Sequence, residues 1–331
     1  MALPALRAVS ISTTAVIVHF YGGSAIDACV RSLLAGTKVP ARIVVIDNGS
    51  DPGWEAVFQR DFPGVLVVRN PRNLGFAGAL PGTAATYATG PDTSEAALLV
   101  LNQDAEVDRA CLARLEEALR HPGIGIVCPV VVDHHGRLWA SGGAIHPVTA
   151  RAQNVVRVHD ATHTGTLADV DYAPGCAMLV RAEVWRQAGG LEARFFMYFE
   201  DADLAVRVRK LGYRVVCDRG AVCRHEGSSA AGGEYEPFQS YFRLRNRVLF
   251  VSRNFGLVRR TIFWLLLPLL LIRDAYRYAR LHRWSAFCQV LAGLRTVRHC
   301  PRPPATRSDN GGSSPAPSQG ESRTRARRPG P

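Results

Sequence analysis

The sequence has no pair of closely spaced cysteines. Its eight cysteines stand far apart along 331 residues, and none forms a C-x-x-C pair. Structural zinc sites usually draw their ligands from such pairs, so the spacing argues against a zinc module. Most of these cysteines lie in apolar runs, which is typical of buried, reduced thiols in a cytosolic protein.

Long hydrophobic runs are also missing. The longest apolar stretch, residues 262–272, is interrupted by Pro268. A helix that crosses a bilayer needs about 20 apolar residues, so this stretch is too short to span one. Residues 1–12 lack the basic start and the apolar stretch of a secretory signal. We therefore expect the protein to be cytoplasmic, or peripheral on the cytoplasmic face of the membrane.

Two kinds of binding segment are absent. After the first predicted strand, the segment Tyr21–Ser24 holds two glycines but no Lys or Arg. A nucleotidyltransferase needs a glycine-rich loop with a basic residue at that place, so this alternative is disfavoured. The basic residues of the chain also lack the interleaved pattern of RNA-binding motifs, and we expect no nucleic-acid partner.

The chain does have an uneven charge. Its formal net charge is +12, yet residues 241–331 contain 18 Arg and no Lys, while the first 240 residues are mildly acidic. Arginines and aromatic side chains flank the apolar stretch 262–272. This combination favours a segment that lies at an anionic membrane surface; a buried helix with a solvated basic face is the alternative. Residues 300–331 are rich in Pro, Gly, Ser and Arg, which predicts a disordered tail.

The first hundred residues alternate between two periodicities. Short apolar runs rich in β-branched residues predict buried strands, and the segments between them have helical spacing. The predicted strands are 15–20, 42–46, 65–68 and 97–101, and the predicted helices are 26–34, 54–62 and 76–87. The alternation predicts an α/β fold with a mostly parallel sheet and helices on both faces. In such sheets, ligands bind beyond the carboxyl ends of the strands.

The second half of the chain is less regular. Helices are predicted at 182–188 and 201–211, and strands at 126–132 and 213–217. The pattern becomes helical and basic after Pro237.

Polar side chains follow two of the predicted strands. Asp47 ends the second strand, where a carboxylate can accept hydrogen bonds from a base or ribose; a plain Asx turn is the alternative. Asp104 follows the fourth strand, two residues after Asn102. Mg²⁺ and Mn²⁺ take one or two carboxylates and leave their other positions to diphosphate and water, so Asp104 is a candidate cation ligand. Capping of the next helix is the alternative for Asp104.

Residues 195–203 combine aromatic and acidic side chains. Four aromatics among five residues precede three carboxylates, Glu200, Asp201 and Asp203. A carboxylate at a pocket wall is a candidate general base for an acceptor hydroxyl. Asp203 stands four residues before Arg207, so the two are expected to pair on one helix face. For Asp203, a structural role is therefore as well supported as a catalytic one.

Two further segments are weaker on their own. Residues 73–78 have the pattern of a loop that enters a helix, where exposed amides meet an anionic or polar group; capping by Asn73 is the alternative. His225 ends a strand and is a candidate for the metal shell or for a diphosphate contact. A satisfied structural histidine is the alternative for His225.

The order of these motifs resembles the family-2 inverting glycosyltransferases of the GT-A fold, and more narrowly their rhamnosyltransferase-like members. The resemblance covers roughly residues 14–230. The matching segments are Asp47–Ser50, Asn73–Ala77, Leu101–Asp104, Gly175–Arg181, Phe195–Asp203 with Arg207, Gly212–Tyr213, and His225 with Ser228 or Ser229. Each segment is short, but all of them in order at ordinary spacing make the resemblance specific.

The chain departs from the family pattern in three places. Residues 19–21 read His-Phe-Tyr where relatives usually have a Tyr-Asn pair, and residues 79–81 read Ala-Leu-Pro where relatives usually have Asn. Asn102 replaces the first acid of a stricter D-x-D motif. The first two differences leave the choice of base and sugar open.

The resemblance implies a role for each matching position. Asp104 and His225 would hold Mg²⁺ or Mn²⁺ on the diphosphate, and Asp201 would deprotonate the acceptor hydroxyl. The reaction would be a single displacement with inversion at the anomeric carbon. Contacts to the donor substrate would come from Asp47, Asn73, Gly75, Phe76, Ala77, Asn102 and Glu200.

The resemblance also implies an organisation and a set of substrates. Residues 1–235 would form the GT-A domain, residues 236–299 a basic amphipathic helical region at the membrane, and residues 300–331 the tail. The donor would be a nucleotide-diphosphate sugar, for example dTDP-rhamnose, and the acceptor a lipid-linked or cell-envelope glycan. A non-catalytic nucleotide-sugar-binding protein or membrane scaffold is the alternative, which residues 79–81 would suit but the intact Asp104 and Asp201 would not.

Overall fold

The computed structural model of the protein describes residues 11–21, 23–80, 96–156, 166–225 and 236–297. Its first half alternates strands and helices as the hydrophobic pattern predicts. The elements are β1 (Ser12–His19), α1 (Ala25–Leu34), β2 (Arg42–Asp47), α2 (Trp54–Asp61), β3 (Leu66–Arg69), α3 (described over 75–80) and β4 (Ala96–Asn102). β1 and β2 bury all but their first side chains, which explains why each appears in the sequence as a continuous apolar run.

The second half adds shorter strands and most of the helices. Its strands are β5 (Ala105–Val107), β6 (Ile124–Val132), β7 (Leu138–Ala140), β8 (Gly143–Ile145), β9 (Ala152–Asn154), β10 (Leu167–Asp169), β11 (Ala177–Arg181) and β12 (Arg214–His225). Its helices are α4 (Cys111–Leu119), α5 (Ala182–Ala188), α6 (Glu200–Lys210), α7 (Pro237–Asn254), α8 (Leu257–Arg280) and α9 (Trp284–Arg295), with a 3₁₀ turn at Ala193–Phe195. The strand predicted at 213–217 is thus longer than expected.

The main sheet is mixed, with the strand order β10-β12-β6-β11-β4-β1-β2-β3. The strands β1 to β4 are parallel, as predicted. β11, however, runs antiparallel to both of its neighbours, and β5, β7 and β10 are antiparallel as well. β6 and β12 are parallel to each other, but the prediction of a mostly parallel sheet is wrong for the other pairings of the second half. Parallel neighbours need a crossover, usually a helix, and the described residues between β6 and β11 hold only strands and loops.

Apolar side chains cover both faces of the sheet. Val16 of β1 belongs to a cluster that includes Leu204 of α6, whereas Ile17 belongs to a second cluster that includes Cys29 of α1 and Leu115 of α4. Successive residues of a strand point to opposite faces, so β1 contributes to both clusters. The prediction of helices on both faces is confirmed.

The three C-terminal helices share the first of these clusters. Leu244 and Phe250 of α7, Phe263 of α8 and Phe287 of α9 are buried together with side chains of the sheet. The boundary at residue 235 stays a prediction, but the helices after it pack on the part of the chain before it. No helix in the described ranges has the length and apolar character to cross a membrane.

The cysteines are free thiols wherever the structure describes them. Six of them are buried, which agrees with the expectation of reduced thiols, and Cys288 on α9 is exposed. Several predictions lie outside the described residues. These are the helix beyond residue 80, the serines at 228 and 229, the cysteine at 300, and the disordered tail 300–331.

Candidate active site

The carboxyl ends of β1, β2 and β4 lie side by side. The register pairs His19 with Asp47 across β1 and β2, and Val18 with Asn102 across β1 and β4. Because parallel strands end at the same edge of a sheet, the polar residues after them meet there. This edge holds the residues that the sequence assigns to the donor substrate and the cation.

Asp47 is almost completely buried at the end of β2. Its Oδ1 accepts a hydrogen bond from the backbone amide of Ser50 at 2.9 Å, so the side chain stabilises the turn that the sequence offers as the alternative role. Its Oδ2 lies 3.5 Å from Nε of Arg69 and has no hydrogen-bond partner among the described residues. The turn therefore uses one carboxylate oxygen, and the other faces the guanidinium of Arg69.

Asn48 fixes the segment that leads into α3, a role that the sequence does not reveal. Its Nδ2 donates to Oδ1 of Asn73 at 3.0 Å and to the carbonyl of Gly75 at 3.2 Å. Its Oδ1 accepts from the amide of Leu74 at 3.0 Å and from Nδ2 of Asn70 at 3.2 Å. Asn73 in turn accepts from the amide of Gly75, two residues on, at 2.8 Å, which forms an Asx turn just before α3.

The start of α3 touches the aromatic segment before α6. Gly75 has a φ of +73°, and a Cβ at this position would lie 2.4 Å from the carbonyl oxygen of Phe196. The amide of Ala77 donates to the same oxygen at 3.0 Å. Only glycine fits here, because the left-handed backbone and the close contact both exclude a side chain. The predicted pocket residues Gly75, Phe76 and Ala77 are all buried.

Asn102, Asp104 and His225 come together at the end of β4. Nε2 of His225 lies 3.2 Å from Oδ1 of Asp104 and 3.2 Å from Nδ2 of Asn102. His225 is buried, with its ring 5.3 Å from that of Trp139, and its Nδ1 has no hydrogen-bond partner among the described residues. Burial raises the pKa of Asp104, but the hydrogen bond and charge of His225 outweigh it, so the net pKa is lowered.

The pair Asp104 and His225 fits a small divalent cation. Within the described ranges no three His, Cys, Asp or Glu side chains form a ready-made cation cluster. Mg²⁺, however, often takes only one or two protein ligands and receives its other oxygens from substrate phosphates and water. Two neighbouring ligands of an octahedral Mg²⁺ stand about 3 Å apart at metal–oxygen distances near 2.1 Å. The 3.2 Å between Asp104 Oδ1 and His225 Nε2 is compatible with that spacing, and it is also the length of the hydrogen bond that joins the two side chains.

Residues 175–176 connect Asp201 to the cluster of Asn102, Asp104 and His225. Its Oδ2 accepts from the amide of Gly175 at 3.0 Å, and its Oδ1 accepts from the amide of Ala202 at 2.7 Å. The next carbonyl, that of Cys176, accepts from the amide of Asn102 at 3.0 Å. A Cβ on Gly175 would lie 3.4 Å from the ring of Phe76, so the start of α3 is also close by.

The two adjacent carboxyl groups at the start of α6 have raised pKa values. Burial raises the pKa of Asp201 to about 6, although the amides of Ala202 and Gly175 act in the opposite direction. Burial and the neighbouring Asp201 raise the pKa of Glu200 well above its usual range. Oε2 of Glu200 has no hydrogen-bond partner within the described ranges. An acid that titrates near neutral pH is a candidate general base.

Asp203 has a structural role. It is fully buried, and its Oδ2 accepts from Nε of Arg207 at 2.8 Å, which confirms the predicted pair. Its Oδ1 accepts from Nδ2 of Asn254 at 2.7 Å and from Nε of Arg253 at 3.2 Å, so it ties α6 to α7. Both carboxylate oxygens are engaged in these contacts, which argues against Asp203 as the base.

A family comparison decides what kind of site this is. The model of "Glycosyl transferase family 2" matches residues 14–186, more than half of the chain. The chain belongs to glycosyl transferase family 2. It is also 25% identical over 277 residues to the N-acetylglucosaminyl-diphospho-decaprenol L-rhamnosyltransferase of Mycobacterium tuberculosis. The aligned region covers 78% of this chain and 90% of that relative. The resemblance noted from the motifs is confirmed.

Solved structures show that this family-2 glycosyltransferase has a GT-A-like α/β fold. GalNAc-T7 with UDP, GalNAc and Mn²⁺ has a TM-score of 0.57 at 18% identity, covering 73% of this chain and 47% of that one. The mannosyltransferase PcManGT of Pyrobaculum calidifontis, in complex with GDP-Man and Mn²⁺, has a TM-score of 0.52 at 18% identity, covering 86% of this chain and 74% of that one. At these identities the likeness concerns the fold alone.

The glycosyltransferase has further site residues that sequence reasoning did not single out. The side chain of Gln103 accepts from the amide of Phe20 at 2.8 Å and donates to its carbonyl at 3.1 Å, which fixes the loop after β1. His19 is buried beside Trp54, with ring centroids 4.0 Å apart, and burial lowers its pKa despite the charge of Asp47. The only sequence signal for Gln103 is its place between Asn102 and Asp104, because its partner is 83 residues away.

Proposed function

We propose that this family-2 member is an inverting, metal-dependent glycosyltransferase whose site lies at the carboxyl edge of β1, β2 and β4. The observation that carries the proposal is the position of the segment 175–176. One of its residues contacts Asp201 and the next contacts the end of β4, two residues before Asp104. A base and a cation-binding carboxylate on two sides of one short segment match the needs of a direct displacement.

The donor is a nucleotide-diphosphate sugar. Asp47 contacts the nucleoside, and Asn73 with the start of α3 lines the nucleotide pocket. Asn102 and Glu200 complete the donor contacts. Asp104 and His225 hold Mg²⁺ or Mn²⁺, which when bound neutralises charge on the leaving diphosphate.

Asp201 accepts the proton of the acceptor hydroxyl. As the proton moves to the carboxylate, the hydroxyl oxygen bonds to the anomeric carbon from the face opposite the diphosphate. The bond from that carbon to the diphosphate breaks with its electron pair, and the configuration inverts. A pKa of about 6 supports this role, because the group is ionised at neutral pH and still basic enough to take a proton. Burial and the neighbouring Asp201 raise the pKa of Glu200 as well.

The relative from M. tuberculosis guides the choice of substrates. Its name describes rhamnosyl transfer to a lipid-linked N-acetylglucosaminyl diphosphate. We therefore propose dTDP-rhamnose, or another deoxysugar or hexose nucleotide, as the donor. The acceptor is a lipid-linked or cell-envelope glycan.

Thermal shift with dTDP, UDP, GDP, CMP and their sugar conjugates, with and without Mn²⁺, tests the donor site. A ligand at 100 times its dissociation constant adds about 2.7 kcal/mol of stability, which raises the Tm visibly. A Mn²⁺-dependent rise with one nucleotide is expected, followed by transfer to a polyprenyl-diphosphate N-acetylglucosamine acceptor. No rise with any of them contradicts the proposal and favours the non-catalytic scaffold.

We also propose that the enzyme works at the cytoplasmic face of an anionic membrane, through one face of α8. The apolar side chains at 258, 262, 265, 269, 272 and 276 follow each other at spacings of three and four, so they form one stripe along the helix. Val258, Leu265, Leu269 and Ile272 are between 61% and 73% exposed. The opposite face packs through Phe263, Leu267 and Leu270.

Charge complementarity supports a lipid surface as the occupant of this stripe. Exposed arginines stand beside it at 259, 273, 277 and 280, and Tyr276 and Trp284 add exposed aromatic side chains at one end. A partner protein surface would not explain this combination as simply as a lipid interface, where basic residues meet headgroups and the apolar face enters the acyl boundary. Each basic residue near an anionic surface adds about 1 kcal/mol to binding.

Vesicle sedimentation tests this surface. The double variant Leu265→Asp with Leu269→Asp should lose binding to phosphatidylglycerol-containing vesicles, while wild type binds them and binds pure phosphatidylcholine weakly. Val57→Asp is the matched control, because Val57 is 56% exposed on α2, away from the stripe. Undiminished sedimentation of the double variant contradicts the proposed face.

A further inference from the structure

Asn246 of α7 is fully buried against the segment that precedes Glu200 and Asp201. Its Nδ2 lies 2.9 Å from the carbonyl oxygen of Phe195, 2.7 Å from that of Met197 and 2.8 Å from that of Tyr198. One amide group therefore binds three carbonyls within four consecutive residues. Its Oδ1 accepts from Nη1 of Arg245 at 2.5 Å, which orients the amide so that its nitrogen faces the segment.

The segment has a backbone that its own residues do not favour. Phe196, Tyr198 and Phe199 have φ values of 64°, 71° and 74°, in the left-handed region. Residues other than glycine rarely adopt this region, and they persist there only where the surroundings hold them. The contacts of Asn246 supply such a restraint. The ring of Phe196 adds a second one, because it stacks on Phe242 of α7 at 5.1 Å.

The same segment joins two parts of the proposed active site. At its end it runs into α6, whose second residue is Asp201. At its beginning, the carbonyl of Phe196 accepts from the amide of Ala77 and lies against Gly75. The conformation of residues 196–199 therefore sets both the proposed base and the start of α3.

We propose that Asn246 is a positioning residue for catalysis. Its amide holds the segment 195–199, in which Phe196, Tyr198 and Phe199 have positive φ, and thereby places Asp201 relative to the nucleotide pocket. Asn246 contacts neither substrate, and it acts only through this segment. The inference rests on the proposed function, since it assigns Asp201 as the base.

The variant Asn246→Asp isolates this role. It keeps the shape of the side chain and the acceptor for Arg245, but it places an oxygen where the donor nitrogen faces three carbonyls. We expect kcat to fall at least tenfold, with a smaller change in the donor KM. We also expect a shift in the acid limb of the pH profile, which is the fall of kcat/KM at low pH. The backbone amides of residues 195–203 should exchange hydrogen faster.

Ser240→Ala is the matched control on the same helix. Ser240 is also fully buried and loses a 2.7 Å hydrogen bond to Tyr278 of α8, without a hydrogen bond to the segment. It should lower the Tm while kcat, the acid limb and exchange at 195–203 stay at wild-type values. If Asn246→Asp does not fold, Asn246→Ser, which keeps a single donor, is measured by the same readouts.

The inference is overturned if the folded Asn246 variant loses Tm but keeps wild-type kcat, acid limb and amide exchange at 195–203. Failure of the proposed function has a different signature, because wild type would then transfer no sugar from any donor. In that case, exchange at 195–203 still shows whether Asn246 holds the segment.

Discussion

Asp201 and Glu200 are neighbours in the sequence but differ in their surroundings. Asp201 accepts two backbone hydrogen bonds and remains partly accessible, whereas Glu200 is buried and has an oxygen without a partner. Burial raises both pKa values, that of Asp201 to about 6. Two adjacent acids with pKa values driven apart by their environments are a common source of one base and one neutral group.

Asp201→Asn should reduce kcat by about 10²–10⁴-fold, the usual contribution of a general base, while donor binding is retained. Steady-state kinetics and thermal shift with the donor measure the two effects. Glu192→Gln is a suitable comparison, because Glu192 is ion-paired with Arg194 outside the proposed site. Normal turnover by Asp201→Asn removes the residue from the base role.

The activity of wild type should rise with pH and level off above an apparent pKa near 6. The base must be ionised to accept a proton, so kcat/KM loses activity below that pH. A kcat/KM profile from pH 4.5 to 8 measures this limb. An activity that stays flat down to pH 4.5 contradicts Asp201 as the titrating base.

The same shift predicts a pH-dependent stability. A carboxyl whose folded pKa is raised binds its proton more tightly in the folded state, so its stabilising contribution is complete below about pH 4 and lost as the pH passes 6. Asp201→Asn, which cannot ionise, should therefore gain Tm relative to wild type at pH 8 more than at pH 4. Equal differences at both pH values contradict the raised pKa.

Asp104→Ala should lose metal-dependent donor binding. Without this carboxylate, Mn²⁺ retains only His225 as a protein ligand, and the Mn²⁺-dependent part of the thermal shift should disappear. Wild type measured in EDTA is the reference for that loss. If Asp104→Ala keeps the full Mn²⁺-dependent shift, the cation assignment fails.

At the residue scale, the sequence allows a side chain to be placed when it directly follows a predicted strand. Asp47 and Asp104 could be placed at one edge because parallel strands end together. Asn48 and Asn246 could not be recognised, because their partners are about 25 and 50 residues away and depend on the tertiary fold. An asparagine in a turn or a helix gives no local sign of such contacts.

At the element scale, the entry into α3 depends on close contact with the segment before α6. Gly75→Ala should destabilise the protein by about 2–4 kcal/mol, since it combines a strained φ with a clash against Phe196. Gly53→Ala is the matched control, because Gly53 also has a positive φ but would meet no atom within 4 Å. Denaturant unfolding measures both. Equal losses in the two variants argue against a specific role of the contact.

The parallel strands could be predicted from the sequence, but the antiparallel ones could not. β1, β2 and β4 each contain a continuous apolar run, and helical segments lie between these runs, a pattern that specifies βαβ units. β11 has only five residues, and its direction depends on the strands between which it is inserted. The sequence shows the apolar run but not its orientation.

At the scale of the whole molecule, the C-terminal helices are part of the domain's core. Leu244, Val248 and Phe250 of α7 are buried in the cluster that includes sheet residues, and Phe263 and Phe287 join them. Deletion of everything after residue 240 should therefore unfold the protein rather than only release it from membranes. Soluble expression and circular dichroism measure this. A cooperatively unfolding fragment 1–240 contradicts the shared core.

The distribution of thiols makes the protein suitable for site-selective labelling. Six buried cysteines are shielded from reagents, whereas Cys288 is exposed on α9, four residues after the exposed Trp284. After Cys300→Ser, an environment-sensitive fluorophore attached at Cys288 would sit near the end of the α8 stripe. Its emission would report contact with vesicles in real time, and collisional quenchers placed at different depths of the bilayer would measure how far this end of the protein enters the lipid.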